Sequence, residues 1–392
     1  MKEESKLIRT QTARTQNREH STPLYLTSSF IFEDAEQGRA IFADEIEGNI
    51  YSRYSNPNTT EFIDKVCEME GAEAGLAFSS GMAAVFASFA GLLKSGDHII
   101  AYRAIFGSTH QLLTMLFPRW GITSTYVDAN NPDALEAAIT PATKMIFLET
   151  PSNPGLELVD LEWLCKTIKQ KYPHIIINVD NCFATPYLQK PMEYGVDLVS
   201  HSATKYMDGQ GRILGGVVVG KKELIKEMMF FIRHTGPAMS AFNAWLLSKS
   251  LETLPLRMDR HCSNALKVAE TLEASPEVEL VRYPHLPSHP QYELAKKQMK
   301  QGGGIVTFIV KGGLDRAKTF MDALDMILIS SNLGDSRSIA THPSSTTHSK
   351  LTEAERQSIG IFPGSIRISV GLENIDDILN DIGTALEKSS SK

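Results

Sequence analysis

Lys205 stands three residues past the end of the apolar run VDLVSHS (196–202), within the segment SATK. An amine just past a buried strand loses solvation, and with it part of its preference for the charged form, so it can attack a carbonyl carbon as a Schiff-base nucleophile. The hydroxyls of Ser202 and Thr204 flank it and are placed to hydrogen-bond an anion beside that lysine. Taken alone, SATK more readily fits a surface lysine at a strand end. Asp180 shifts the balance: it ends HIIINVD, one βα step upstream, and parallel strands bring their C-terminal ends to one edge of a sheet. A carboxylate there can hold a heterocyclic nitrogen protonated. By itself it would also serve as a cap for the turn DNCFATP.

Three further segments bear on the same edge. SSGMAA (79–84) joins a strand to an apolar helix. Gly81 lets the backbone approach an anion closely, and the free N–H groups from Met82 onward stabilise a phosphate. The segment has neither GxGxxG nor GK[ST], so neither a dinucleotide fold nor a P-loop is supported. Phe106, in IFGSTH, can cover one face of an aromatic cofactor by offset stacking, although a lone phenylalanine also suits a core. Arg367, inside the apolar run IRISV, is a guanidinium that needs an anion, either an internal carboxylate or the α-carboxylate of a substrate, which its fork fits bidentately. In chain order the set is phosphate turn, stacking aromatic, Asn153 in ETPSNP, Asp180, Lys205 and Arg367. That is the order in which a fold-type I pyridoxal-phosphate enzyme presents its site.

The elements that position these residues are legible as apolar runs. AGLAF (74–78), HIIAY (98–102), TSTYV (123–127), KMIFLE (144–149), IIINVD (175–180), VDLVSHS (196–202) and GGVVVG (215–220) read as buried strands alternating with helical patterns, which predicts an α/β fold around a largely parallel sheet. Beyond about Leu254 the rhythm changes to a helix over 257–272, a strand entered through three glycines (302–310), a helix from Asp315 and an apolar stripe through Ile375, Ile378, Leu379, Ile382 and Leu386. The expected organisation is an N-terminal arm (1–55), polar and irregular, lying on another surface; a large α/β domain (56–255); and a smaller C-terminal α+β domain (256–392).

Composition excludes other classes. Lys plus Arg number 39 against 46 Asp plus Glu, a net charge of −7, so no basic field exists to hold nucleic acid. The four cysteines, Cys67, Cys165, Cys182 and Cys262, have neither disulfide-framework nor CxxC spacing and suit a reducing compartment. No apolar stretch is long enough for a membrane span and the first twenty residues have no apolar signal core, so a soluble cytoplasmic protein is expected. His342 and His348 stand six apart in a polar loop that reads as loop and substrate channel, and no metal is assigned.

With these residues in view, the chain resembles the Cys/Met metabolism pyridoxal-phosphate family, which includes cystathionine synthases and lyases, methionine γ-lyase and O-acylhomoserine sulfhydrylases. The match runs from about Thr22 to Leu386, most specifically through YSRYSNPN (51–58), SSGMAA, ETPSNP, VDNCFATP, HSATKY and IRISVGLE. The resemblance implies that Lys205 carries the cofactor, pyridoxal 5′-phosphate, that Asp180 meets its pyridine nitrogen, and that Gly81, Met82, Ser202 and Thr204 hold its phosphate. It further implies that Phe106 stacks on the ring, Asn153 contacts the pyridine oxygen, and Arg367 and Asn332 bind the substrate. Tyr51 and Arg53 match residues that reach the neighbouring subunit's phosphate, which implies a homo-oligomer, expected to be a tetramer, with sites shared across a dimer.

Many family members place a tyrosine where Phe106 stands, and Ser108 stands where methionine γ-lyases often carry a cysteine. With the segment NLGDSRSIATHPSSTTH (332–348), these departures resemble the O-succinylhomoserine sulfhydrylase branch. The implied reaction is γ-replacement on an O-acylhomoserine, the succinyl ester foremost, by sulfide to give homocysteine in methionine biosynthesis. The alternatives are cystathionine γ-synthase, a methionine or cystathionine γ-lyase, or, from a different class, a pyridoxal-phosphate-binding protein without turnover.

Overall fold

The computed structural model describes residues 1–128, 131–349 and 352–390. Seven strands form the larger sheet: β1 (Ala74–Phe78), β2 (His98–Tyr102), β3 (Thr123–Val127), β4 (Thr143–Glu149), β5 (Ile176–Asp180), β6 (Leu198–Ser202) and β7 (Gly216–Gly220), in the order β1-β7-β6-β5-β4-β2-β3. They fall on the seven apolar runs. Neighbours from β6 to β3 pair in parallel, while β7 runs antiparallel to both β1 and β6. Strands buried on both faces need continuous apolar sequence, which is why β2, β5 and β7 read as plain Ile and Val runs. Apolar clusters cover the two faces, one centred on Phe62, Ile146, Ile177 and Val199, the other on Phe89, Ile99, Phe147 and Val218.

The parallel strands end on the residues of interest. Glu149 closes β4, Asp180 closes β5 and Ser202 closes β6. The helix Gly81–Ala90 starts on the same edge, capped by Ser80, whose hydroxyl accepts from Ala83 N at 3.1 Å. Gly81 is required by packing: a Cβ there would stand 2.7 Å from the Ser202 Cβ.

A second sheet has five strands, β8 (Val278–Arg282), β9 (Ile305–Val310), β10 (Leu328–Ile329), β11 (Ile339–Thr341) and β12 (Ser365–Ser369), in the order β10-β11-β12-β9-β8. Helices Leu254–Ala274, Gly313–Ala323 and Ile375–Ser390 cover it through Val268, Leu272, Phe320, Ile378 and Ile382. The N-terminal segment differs from the irregular arm the sequence suggests. It opens with a helix, Glu3–Arg9, whose Leu7 is fully buried in the cluster that holds Phe62 and Val66. One leucine in a seven-residue helix is too weak a pattern to announce it, yet truncating such a buried leucine costs about 2–5 kcal/mol.

Candidate active site

A cleft of about 980 Å³ opens over the strand ends, between the two sheets. Gly81, Met82, Phe106, Asn153, Asp180, Ser202, Thr204, Lys205, Asn332 and Arg367 all line it. Ten residues spread over nearly three hundred positions therefore meet in one cavity. Tyr51 and Arg53 stand outside it: the Arg53 guanidinium lies 4.8 Å from the Tyr54 ring centre and 5.4 Å from that of Tyr51, and donates to the Arg233 carbonyl.

Lys205 is held in the turn after β6, its N–H bonded to Ser202 O and its ammonium nitrogen to Asn332 Oδ1. Burial, aided by the positive charge of Arg367, lowers its pKa below the usual lysine value. Its amine is therefore easier to deprotonate, as a nucleophile or base requires. Thr204 is fixed by its hydroxyl, which accepts from Gly215 N at 3.0 Å.

Asp180 Oδ1 accepts from Cys182 N at 3.0 Å, and burial raises its pKa. Beneath it a buried polar network braces the strand end: His201 Nε2 lies 2.6 Å from Glu70 Oε1, to which Asn181 Nδ2 also donates at 3.0 Å. Arg367 is 1% exposed, and its hydrogen bonds all go to neutral oxygens: Nη1 to Asn153 Oδ1 at 3.0 Å, Nη2 to Asn332 O at 3.1 Å, Thr341 Oγ1 at 3.3 Å and Ser331 O at 3.4 Å. Its Nε has no partner, and burial lowers its pKa to about 10. A buried guanidinium without a bonded carboxylate, among the described residues, is prepared for an anion that comes from outside the chain.

Glu149 is the site residue that the sequence reading passed over. It lies in register with Asp180 on the next strand, and its Oε2 accepts from Phe106 N at 3.0 Å. Burial and the Asp180 charge push its pKa well above the ordinary glutamate value. The signal was present: KMIFLE ends in a carboxylate just as IIINVD does. His348 also lines the cleft, whereas His342 is tied down by Ser345 Oγ at 2.7 Å and Pro363 O at 2.8 Å.

These features fit pyridoxal phosphate. The buried Asp180 carboxylate at the end of β5 lacks a bonded cation among the described residues, which a protonated pyridine nitrogen would supply. A glycine packed tightly at a helix N-terminus beside Ser202 and Thr204 suits a phosphate, and a desolvated amine suits its aldehyde.

Fold and cleft together define a pyridoxal-phosphate-dependent enzyme. The family model for Cys/Met metabolism PLP-dependent enzymes matches residues 4–387, and the chain belongs to that family. An O-succinylhomoserine sulfhydrylase from Pseudomonas aeruginosa is 46% identical over 379 residues, covering 97% of this chain and 94% of that protein. An L-methionine gamma-lyase from Porphyromonas gingivalis is 45% identical over 369 residues, covering 94% and 92%. Among solved structures, a Campylobacter jejuni chain assigned as an O-acetylhomoserine (thiol)-lyase, which carries an N'-pyridoxyl-lysine-5'-monophosphate, matches with a TM-score of 0.95 at 34% identity, covering 99% of this chain and 100% of that one. Identities of 46% and 45% to enzymes of different reaction do not choose between replacement and elimination, so individual residues must.

Proposed function

We propose that the enzyme replaces the acyloxy group of an O-acylhomoserine, the succinyl ester in particular, with sulfide at Cγ, releasing the carboxylate and yielding homocysteine. The observation that carries this reading is Phe106, a phenyl group lining the cleft and 39% exposed, on the loop that Glu149 anchors. A stacking face without a hydroxyl offers no acid to a departing thiolate, while a carboxylate leaves without one. The cleft's phenol, Tyr126, belongs to β3, beyond β2 from the strand that leads to Lys205.

Pyridoxal phosphate, when bound, supplies the electron sink for charge developing at Cα. The chain's own residues bind and move protons. Lys205 would hold the cofactor, and its amine, once free, would take the proton from Cα and transfer one at Cβ. Its lowered pKa suits both tasks. Asp180 holds the pyridine nitrogen protonated. Gly81, Met82, Ser202 and Thr204 grip the phosphate, and Asn153 meets the ring oxygen. Arg367 binds the α-carboxylate through the donor it has to spare, with Asn332 beside it, which fixes Cα over the Lys205 amine.

Tyr51 and Arg53, outside their own cleft, are assigned to the phosphate of a second copy. Exposed apolar side chains in the same segment, Leu26 at 72% and Ile31 at 99%, support such an interface. We infer a homo-oligomer with shared sites and a paired dimer as the tetramer. The four free cysteines fit a reducing cytoplasm, and among the described residues no helix is long and apolar enough to cross a membrane.

The test is product analysis with O-succinylhomoserine, O-acetylhomoserine, methionine and cystathionine, each with and without sulfide or cysteine. Rapid homocysteine from the succinyl ester and sulfide is expected. Rapid 2-oxobutanoate from methionine would instead favour the lyase, and preference for cysteine over sulfide the cystathionine synthase.

A further inference from the structure

We propose that Arg103, with the hydroxyl of Tyr126, receives the distal carboxylate of the succinyl group and so distinguishes a dicarboxylate ester from the acetyl ester. This rests on the γ-replacement reading above and names the ester that the same cleft prefers.

The argument begins with the charges facing the cleft. Its lining cations are Lys205, Arg367 and Arg103, together with His110 and His348. Burial lowers the pKa of His348 to about 4 and that of His110 below its usual value, so neither offers a positive charge near neutrality. Lys205 is committed to the cofactor and Arg367 to the α-carboxylate. Arg103 alone among the described lining cations has no part in that chemistry.

Its placement is fixed by backbone. Arg103 follows β2 directly and its N–H donates to Val127 O at 2.9 Å, continuing the β2–β3 pairing in which Ala101 faces Tyr126. The guanidinium donates through Nε to Asp128 Oδ1 at 2.9 Å. Among the described residues, neither of its Nη groups makes a hydrogen bond, so the outer edge of the fork remains available. The Tyr126 hydroxyl, from the adjacent strand, is buried against the same cleft without a partner. Burial pushes the phenol pKa up while the positive charge of Arg103 opposes that rise, so the two groups share one environment. A guanidinium edge and a free O–H form a donor set for one carboxylate.

The spacing matches the ester. Along the strand ends, β6, β5, β4 and β2 place Arg103 three strand positions from Lys205, about 14 Å of backbone separation. In O-succinylhomoserine seven bonds separate Cα from the distal carboxylate carbon, two more than separate it from the methyl carbon of the acetyl ester. An acetyl ester ends short of that carboxylate position. Phe106, three residues after Arg103 on the same loop, lines the same cleft.

The experiment compares the holoenzyme with its Arg103→Gln, Arg103→Lys and Asp128→Asn variants, measuring kcat/KM for both esters with sulfide and inhibition by free succinate. A charge-assisted hydrogen bond lost to Gln should lower kcat/KM for O-succinylhomoserine about ten- to hundred-fold, mainly through KM, and that for O-acetylhomoserine less than about threefold. Arg103→Lys should recover part of the loss, and succinate should inhibit Arg103→Gln more weakly than the wild type. Asp128→Asn, which removes the competing carboxylate, should lower KM for the succinyl ester. Equal losses for both esters, or none for the succinyl ester, would overturn the assignment. If Arg103→Gln folds poorly, the Asp128→Asn result decides, since a rise in KM counts against it. A wild-type enzyme that ignores O-succinylhomoserine would instead defeat the reaction assignment, and this proposal with it.

Discussion

Glu149 and Asp180 stand side by side at the ends of adjacent parallel strands, and the carboxyl of Glu149 also accepts the N–H of Phe106. Two buried carboxyls this close do not both ionise readily, and the site needs one charge, on Asp180. Glu149 accordingly acts as a neutral hydrogen-bonding post that fixes the Phe106 loop. Glu149→Gln, which keeps an acceptor, is expected to retain activity within about threefold, while Glu149→Ala should lose about tenfold or more as Phe106 is released.

The same residue has a pH consequence. Its pKa is raised in the folded chain above the ordinary 4.5, so the folded state binds this proton more tightly than the unfolded one. The stability it contributes is complete below pH 4.5 and is lost as pH rises through its folded pKa. Denaturant melts of the cofactor-free protein should therefore show the stability of Glu149→Gln gaining on the wild type as pH rises above that value. A constant difference across the range would mean that Glu149 is not the titrating group.

Lys205→Ala should abolish the yellow colour of the covalently held cofactor and lower activity by about a hundred- to ten-thousand-fold. After borohydride treatment, mass spectrometry should find the pyridoxyl group on Lys205 in the wild type and on no lysine in the variant. An adduct persisting in Lys205→Ala would move the assignment to another lysine.

Sharing of sites is tested by mixing two inactive chains, Arg53→Ala and Lys205→Ala. Each mixed dimer then contains one site with both residues intact, so a fraction of wild-type turnover should return. No recovery after verified subunit exchange would place Arg53 in a structural role within its own chain, where it stacks on Tyr54.

Phe106→Tyr restores a phenol to the cleft wall. The ratio of 2-oxobutanoate formed from methionine to homocysteine formed from O-succinylhomoserine should rise about tenfold or more, because only thiolate expulsion gains from the new acid. An unchanged ratio would show that the missing hydroxyl does not separate the two reactions.

The chain of apolar runs ending in Asp180 and Ser202 made the large sheet and its chemically rich edge readable, because buried parallel strands need continuous Val and Ile sequence and their polar termini stand out against it. Lys205, Asp180 and Gly81 were recognisable for the same reason, each sitting at a junction where apolar sequence stops. Tertiary structure decided what local pattern does not carry. Leu7 is buried only because the helix Pro57–Glu70 packs across it, and a seven-residue helix shows too little periodicity to signal that contact. Glu149 is perturbed by a strand neighbour thirty-one residues away, and Arg103 and Tyr126 meet through the pairing of β2 with β3. Sequence names the groups that end each strand, but which of them share a charge environment depends on strand order, and strand order is set by how the whole sheet buries both its faces.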